Sequence, residues 1–83
     1  MRTSPLKNIR KKIDKIDNGI VALLRKRFKL VLKTLKYKTV TIDTKREKQI
    51  LTRITKKYKP ALPIFKAMME ESKRQQKKAS KNK

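Results

Sequence analysis

Residues 6–38, LKNIRKKIDKIDNGIVALLRKRFKLVLKTLKYK, form the stretch of sequence that decides the fold. The apolar residues recur at alternating steps of three and four, the spacing of one face of an amphipathic helix. They are Leu6, Ile9, Ile13, Ile16, Ile20, Leu23 and Leu30. The stretch contains no proline and a single glycine, Gly19. It therefore predicts one long helix over about 6–38.

The length of this helix predicts that the chain associates with itself. About 33 residues at a rise of 1.5 Å each give a rod of roughly 50 Å. A compact chain of this size would be only about 30 Å across. The apolar face would overhang its own domain, and the simplest cover for it is a second copy of the chain.

The rest of the chain predicts two shorter helices, so the fold is expected to be all-α, with one domain over 1–83. Ser4 and Pro5 suit the cap and first position of the long helix. The β-branched residues 39–42 predict a loop. A second helix over about 44–58 can be capped by Asp43 or by Thr44, and Pro63 suits the start of a third helix over about 63–78. We expect residues 78–83 to be a disordered basic tail.

The composition excludes several kinds of chemistry. The chain has neither cysteine nor histidine, which excludes disulfides, thiolate metal sites and histidine-dependent catalysis. We expect no metal and no cofactor. No apolar run approaches the about 18 residues of a membrane span, and the N-terminus lacks the apolar segment of a secretory signal. The expected location is the cytoplasm, away from membranes.

The charge is strongly positive, with 27 Lys and Arg against 6 Asp and Glu, a net charge of +21. Such a field favours anions of any size. Nucleic-acid modules usually add aromatic side chains for stacking, and this chain has only two Tyr and two Phe. We therefore expect nucleic acid to bind non-specifically, if at all.

Five polar residues lie on or beside the apolar stripes: Arg27, Lys38, Glu47, Ser72 and Gln76. Each has a simple interpretation: an arginine reaching water, a cation at a helix C-terminus, a capping-box glutamate, and a third helix leaving the core. Together they also suggest a polar pocket between helices. Its inward-facing cations would require an anionic ligand.

Several segments, taken in order, resemble a known family. They are IRKKIDKID at 9–17, LLRKR at 23–27, Lys38, DTKRE at 43–47, and EES at 70–72 with Gln76. The ordered set is similar to the all-helical chorismate mutases of shikimate metabolism, over about residues 6–76. The resemblance implies an intertwined homodimer of three-helix chains. It also implies the Claisen rearrangement of chorismate to prephenate, in one step without a covalent intermediate, proton transfer, metal or cofactor.

The resemblance also implies roles for individual residues. Arg27 and Arg10 would hold the two substrate carboxylates, with Arg10 contributed by the partner subunit. Lys38 would contact a carboxylate and the ether oxygen that loses its bond, and Gln76 would donate to the same oxygen. Arg10 lies about 25 Å from Arg27 along the predicted helix. The two arginines of one chain therefore cannot grip one small ligand.

The remaining implied site residues come from the second and third helices. Glu47 would hold the substrate hydroxyl with Asp43 beside it, and Arg46 and Ser72 would support the pocket. The catalytic set is thus Lys38, Gln76, Arg27 and Glu47. Only four residues separate Lys38 from Asp43, which is short for the family and leaves the role of Asp43 open.

Other functions are compatible with parts of the sequence. An isochorismate pyruvate lyase would share the fold, but it resembles this chain less at Glu47. A basic protein that binds nucleic acid or another polyanion would explain the charge but not the polar residues on the stripes. A non-catalytic regulatory partner would not need the full set of matching residues.

Overall fold

A computed structural model describes residues 4–37 and 43–81 of the chain. Lys38 and the predicted loop over 39–42 lie outside the described residues. The described residues form three α-helices and two short 3₁₀ turns, with no strand among them. The prediction of an all-α chain with one long and two shorter helices is confirmed for this part.

Helix α1 spans Pro5–Lys33. Ser4 caps it as predicted, since its side chain accepts a hydrogen bond of 3.0 Å from the Lys7 N–H. The α-helix ends about one turn before the predicted limit near residue 38, and a 3₁₀ turn, Thr34–Lys36, follows it. The Thr34 hydroxyl donates to the Val31 carbonyl at 2.6 Å. This local bond satisfies a carbonyl that a continuing helix would otherwise use, so the last turn tightens.

Helix α2 spans Thr44–Lys57 and helix α3 spans Leu62–Lys81, with a 3₁₀ turn over Lys59–Ala61 between them. The cap of α2 is Asp43, whose carboxylate accepts from the Arg46 N–H at 3.0 Å. The sequence predicted a third helix ending near 78 and a disordered tail over 78–83, but α3 continues through Lys81. Lysine and alanine favour helix, and no glycine or proline follows Pro63, so nothing in the sequence stops the helix at 78.

The core lies between α2 and α3. Ile50 and Ile54 of α2 and Met69 of α3 are buried, and Leu51, Ala61 and Phe65 pack against them. Helix α3 packs against both other helices, whereas α1 has no buried residue. Its C-terminal half contributes only half-buried side chains, such as Leu24 and Phe28.

The apolar stripe of α1 is exposed over most of its length. The exposed fractions run from 49% for Ile13 and Ile20 to 66% for Leu23. The radius of gyration is 17.0 Å and the longest dimension is 59 Å, against the roughly 12 Å radius expected for a compact chain of this length. The predicted overhang is therefore present. In the part of the chain that the structure describes, none of the helices has the length and apolar character needed to cross a membrane.

Candidate functional site

A cavity of about 300 Å³ lies where the three helices meet. Its lining residues are Arg27, Leu30, Val31 and Thr34 from α1 and the turn after it, Asp43, Arg46, Glu47 and Ile50 from α2 and its cap, and Met69, Ser72, Lys73 and Gln76 from α3. Six of the eight site residues predicted from the sequence therefore line one cavity. The roles that the resemblance implies for them remain predictions.

Arg27 points toward α3 rather than away from the protein. Its side chain is half-buried, and its Nη1 donates to the Ser72 hydroxyl oxygen at 3.3 Å. The Ser72 hydroxyl in turn donates to the Met68 carbonyl at 3.1 Å. Of the two interpretations of Arg27, the inward-facing guanidinium is therefore the one observed.

The environment of Arg27 is unfavourable for a positive charge. Burial lowers the pKa of Arg27 below its usual value, and the nearby cations of Arg46 and Arg53 lower it further. A guanidinium nevertheless stays protonated in proteins. The cost of holding these cations together would be reduced by an anion bound among them.

Ser72 and Gln76 lie inside the protein although both are polar. Their exposed fractions are 6% and 3%, so α3 does not leave the core at these positions. Among the residues that the structure describes, the buried Nε2 of Gln76 has no hydrogen-bond partner. A buried donor without an acceptor is costly. An acceptor brought by a ligand in the cavity would remove this cost.

Glu47 forms an ion pair across the cavity wall. Its Oε1 lies 2.6 Å from Nζ of Lys73, which also lies 3.1 Å from Oε1 of Glu70. The hydrogen bonds that Lys73 donates to Glu47 and to Glu70 raise its pKa, the one to Glu47 having the larger effect. Because Asp43 caps α2, Glu47 is not required for capping, and its carboxylate is available at the cavity.

Asp43 combines a structural contact with a place at the cavity. Its carboxylate accepts the Arg46 N–H, and its carbonyl accepts the Glu47 N–H at 3.0 Å. These bonds order the first turn of α2, which carries Arg46 and Glu47. The short link before Asp43 is therefore compatible with a position beside Glu47.

The structure does not bring all the predicted residues together. Lys38 lies outside the described residues. Arg10 lies on the exposed N-terminal half of α1, seventeen residues before Arg27, and is not among the residues that line the cavity. Within one described chain, the cationic residues that line the cavity are thus Arg27, Arg46 and Lys73.

Lys73 is the site residue that the sequence analysis missed. It directly follows Ser72 and precedes Gln76 by three positions, so it shares their side of α3. Its spacing from Ser72 and Gln76 was the feature from which Lys73 could have been predicted as a cavity residue. The spacing does not distinguish Lys73 from the other lysines and arginines, because the chain has 27 of them.

Taken together, the cavity offers half-buried cations at Arg27 and Lys73, the carboxylates of Asp43 and Glu47, and an amide donor, Gln76 Nε2, that has no partner among the described residues. Such a set can bind a small anion that also carries a hydroxyl, and can donate a hydrogen bond to an oxygen inside the site.

The sequence matches a known protein family. A family model described as chorismate mutase type II matches residues 9–77. No curated protein and no solved structure gives a significant match.

The buried Nε2 of Gln76, which has no partner among the described residues, should lower the free energy of unfolding of the protein when no ligand is bound. We expect Gln76→Met, which keeps a similar shape without the buried donor, to raise the free energy of unfolding by about 1–3 kcal/mol. The measurement is urea denaturation without ligand, at one fixed protein concentration.

The matched control is Gln75→Met on the same helix. The Gln75 amide already donates to Glu71 at 3.1 Å and is only half-buried, so this change should not stabilise the protein. Equal effects of the two substitutions would contradict the assignment of an unsatisfied donor to Gln76.

Proposed function

The chain belongs to the chorismate mutase type II family, and we propose that it catalyses the rearrangement of chorismate to prephenate in phenylalanine and tyrosine biosynthesis. The family match supports the reaction class. The geometry of the cavity supports the individual roles, because the residues that line it offer the groups that this substrate would need.

The observation that carries the proposal is the buried Nε2 of Gln76, which has no hydrogen-bond partner among residues 4–37 and 43–81. In the rearrangement, the ether bond of chorismate breaks and negative charge develops on its oxygen. A donor that is already in place and shielded from water stabilises such a charge more than water does. The exposed fraction of Gln76 is 3%, so its side chain is shielded from water, and its place in the cavity lining supports the proposed contact.

The charged residues fit the rest of the substrate. Chorismate carries two carboxylates and a hydroxyl. Arg27 is proposed to bind one carboxylate from the α1 side of the cavity, and Glu47 to accept a hydrogen bond from the hydroxyl. Lys38, outside the described residues, is proposed to contact a carboxylate and the ether oxygen. Arg46 and Ser72 would support Arg27 and Glu47.

The proposed mechanism needs no covalent or acid-base step. Binding both carboxylates and the hydroxyl at fixed points would hold the substrate in the compact conformation in which the new carbon–carbon bond forms. Gln76 and Lys38 would then lower the barrier by stabilising charge on the ether oxygen. The protein thus supplies orientation and electrostatic stabilisation.

We further propose that the working unit is a homodimer. The exposed stripe of α1, which includes Ile9, Ile13 and Ile16, is wide and apolar, and a second copy would cover it. Arg10 lies on the same half of α1. The partner's α1 would then bring its Arg10 to the cavity and complete the set of carboxylate-binding residues.

The activity is tested by the loss of chorismate absorbance with identification of prephenate as product. We expect turnover by the wild-type protein. Gln76→Met should lower kcat by about 100- to 1000-fold, because one preorganised donor to the developing charge is lost. Gln75→Met should retain activity.

Two results would contradict this proposal. Release of pyruvate in place of prephenate formation would indicate a lyase of the same fold. No turnover by a folded wild-type protein, confirmed by circular dichroism, would exclude the mutase activity for this chain.

The dimer is tested by a charge placed on the α1 stripe. Ile16→Lys should produce monomers, because a cation buried in an apolar interface without a partner is strongly unfavourable. Asn18→Lys adds the same charge on the opposite face of α1 and should leave the dimer intact. Light scattering after size-exclusion chromatography measures both, and identical masses for the two variants would contradict the proposed interface.

The shared site is tested by mixing two inactive variants. In a heterodimer of Arg10→Ala and Arg27→Ala chains, one of the two sites keeps both arginines. Because half of randomly mixed dimers are heterodimers, we expect roughly a quarter of the wild-type activity. Verified heterodimers without recovered activity would contradict the contribution of Arg10 from the partner.

A further inference from the structure

Lys73 lines the cavity, but neither the resemblance nor the proposed mechanism gives it a role. Its Nζ lies 2.6 Å from Oε1 of Glu47 and 3.1 Å from Oε1 of Glu70. The Lys73 and Glu47 side chains are only 26% and 23% exposed, whereas the Glu70 side chain is 69% exposed. The contact with Glu47 is therefore the better shielded of the two.

The Lys73–Glu47 pair connects two helices. The other two ion pairs among the described residues, Lys73–Glu70 and Arg74–Glu71, join positions three apart on α3. Only the pair with Glu47 fixes a side chain of α2 relative to the face of α3 that carries Ser72 and Gln76. It therefore couples the position of the carboxylate to the position of the amide donor.

The surroundings of Glu47 contain several cations that could attract its carboxylate. The charged residues that line the cavity with it are Arg27 from α1, Asp43 and Arg46 from the start of α2, and Lys73 from α3. A carboxylate without its own cation would be attracted to the arginines. In the described part of the chain, Arg27 forms no ion pair and donates only to Ser72.

We propose that Lys73 is a positioning residue, which holds the Glu47 carboxylate on the α2 side of the cavity and thereby leaves Arg27 free for an anionic ligand. The inference rests on the proposed function, because Glu47 and Arg27 are the residues assigned there to the substrate. Lys73 acts through Glu47 and does not itself contact the reacting atoms. Its hydrogen bonds raise its pKa, so it remains a cation throughout the neutral range.

The kinetic test compares substitutions on one helix. We expect Lys73→Met to lower kcat/KM roughly ten-fold, less than the about 100-fold that a 1 Å misplacement can cost. Lys73→Arg should recover most of the activity, since a guanidinium can hold the same carboxylate. Arg74→Met removes an exposed ion pair of the same helix and Glu70→Gln removes the other partner of Lys73, and both should stay within two-fold of wild type.

A second measurement separates positioning from a general loss of structure. A double-mutant cycle with Lys73→Met and Glu47→Gln measures the coupling of the two side chains in the free energy of unfolding, by urea denaturation. The two effects should be non-additive, because either substitution removes the same ion pair. The effects of Arg74→Met and Glu47→Gln should add, whereas a general loss of structure would not single out the pair with Lys73.

Two outcomes would overturn the proposal. Unchanged kcat/KM together with additive effects of Lys73→Met and Glu47→Gln on the free energy of unfolding would show that Lys73 does not hold the carboxylate. An increase in kcat/KM for Lys73→Met would show that Lys73 competes with the substrate for Glu47.

The double-mutant cycle also separates this inference from the proposed function. If the wild-type protein does not turn over chorismate, the proposed function fails. The cycle still decides whether Lys73 holds Glu47, since non-additive effects support the contact and additive effects overturn it.

Discussion

A polar side chain that is withdrawn from water needs a hydrogen-bond partner, and this requirement organises the space between the three helices. Helix α3 carries Met69 into the core and, further along, buries Ser72 and Gln76. Ser72 is satisfied within the chain, by Arg27 and by the Met68 carbonyl. In the described part of the chain, Nε2 of Gln76 has no hydrogen-bond partner. One helix therefore serves both as an anchor of the core and as the polar wall of a cavity.

Two charged side chains of the cavity, Arg27 and Glu47, contact different partners and not each other. Arg27 faces α3 without a carboxylate partner among the described residues, and burial and the cations of Arg46 and Arg53 lower its pKa. Glu47, by contrast, is held by Lys73 at a distance typical of a strong charge-assisted hydrogen bond. Glu47 is thus paired with Lys73 and not with Arg27, so the guanidinium and the carboxylate occupy different sides of a small volume. A site of this kind can bind a carboxylate and a hydroxyl of one ligand at different points.

Much of the site could be predicted from the sequence, because Arg27, Ser72 and Gln76 each place a polar group where a helical stripe requires an apolar one. That conflict between residue type and helical position can be recognised from the sequence alone. Lys73 creates no such conflict, since a lysine beside a stripe is ordinary. Its importance depends on how α2 and α3 cross, which only the packed structure reveals. The predicted end of α1 near residue 38 is also wrong, since the regular helix ends at Lys33, where neither glycine nor proline marks its end.

The small core has a thermodynamic consequence for the chain. Three buried apolar side chains, Ile50, Ile54 and Met69, offset little of the conformational entropy lost on folding. The apolar surface of α1 contributes nothing to stability while it remains in water. Any species that covers that surface stabilises the folded state by mass action. The midpoint of unfolding should therefore depend on the concentration of that species, which for a second copy is the protein concentration. Folding and association would then be coupled in one equilibrium, and lowering the protein concentration alone would unfold the chain.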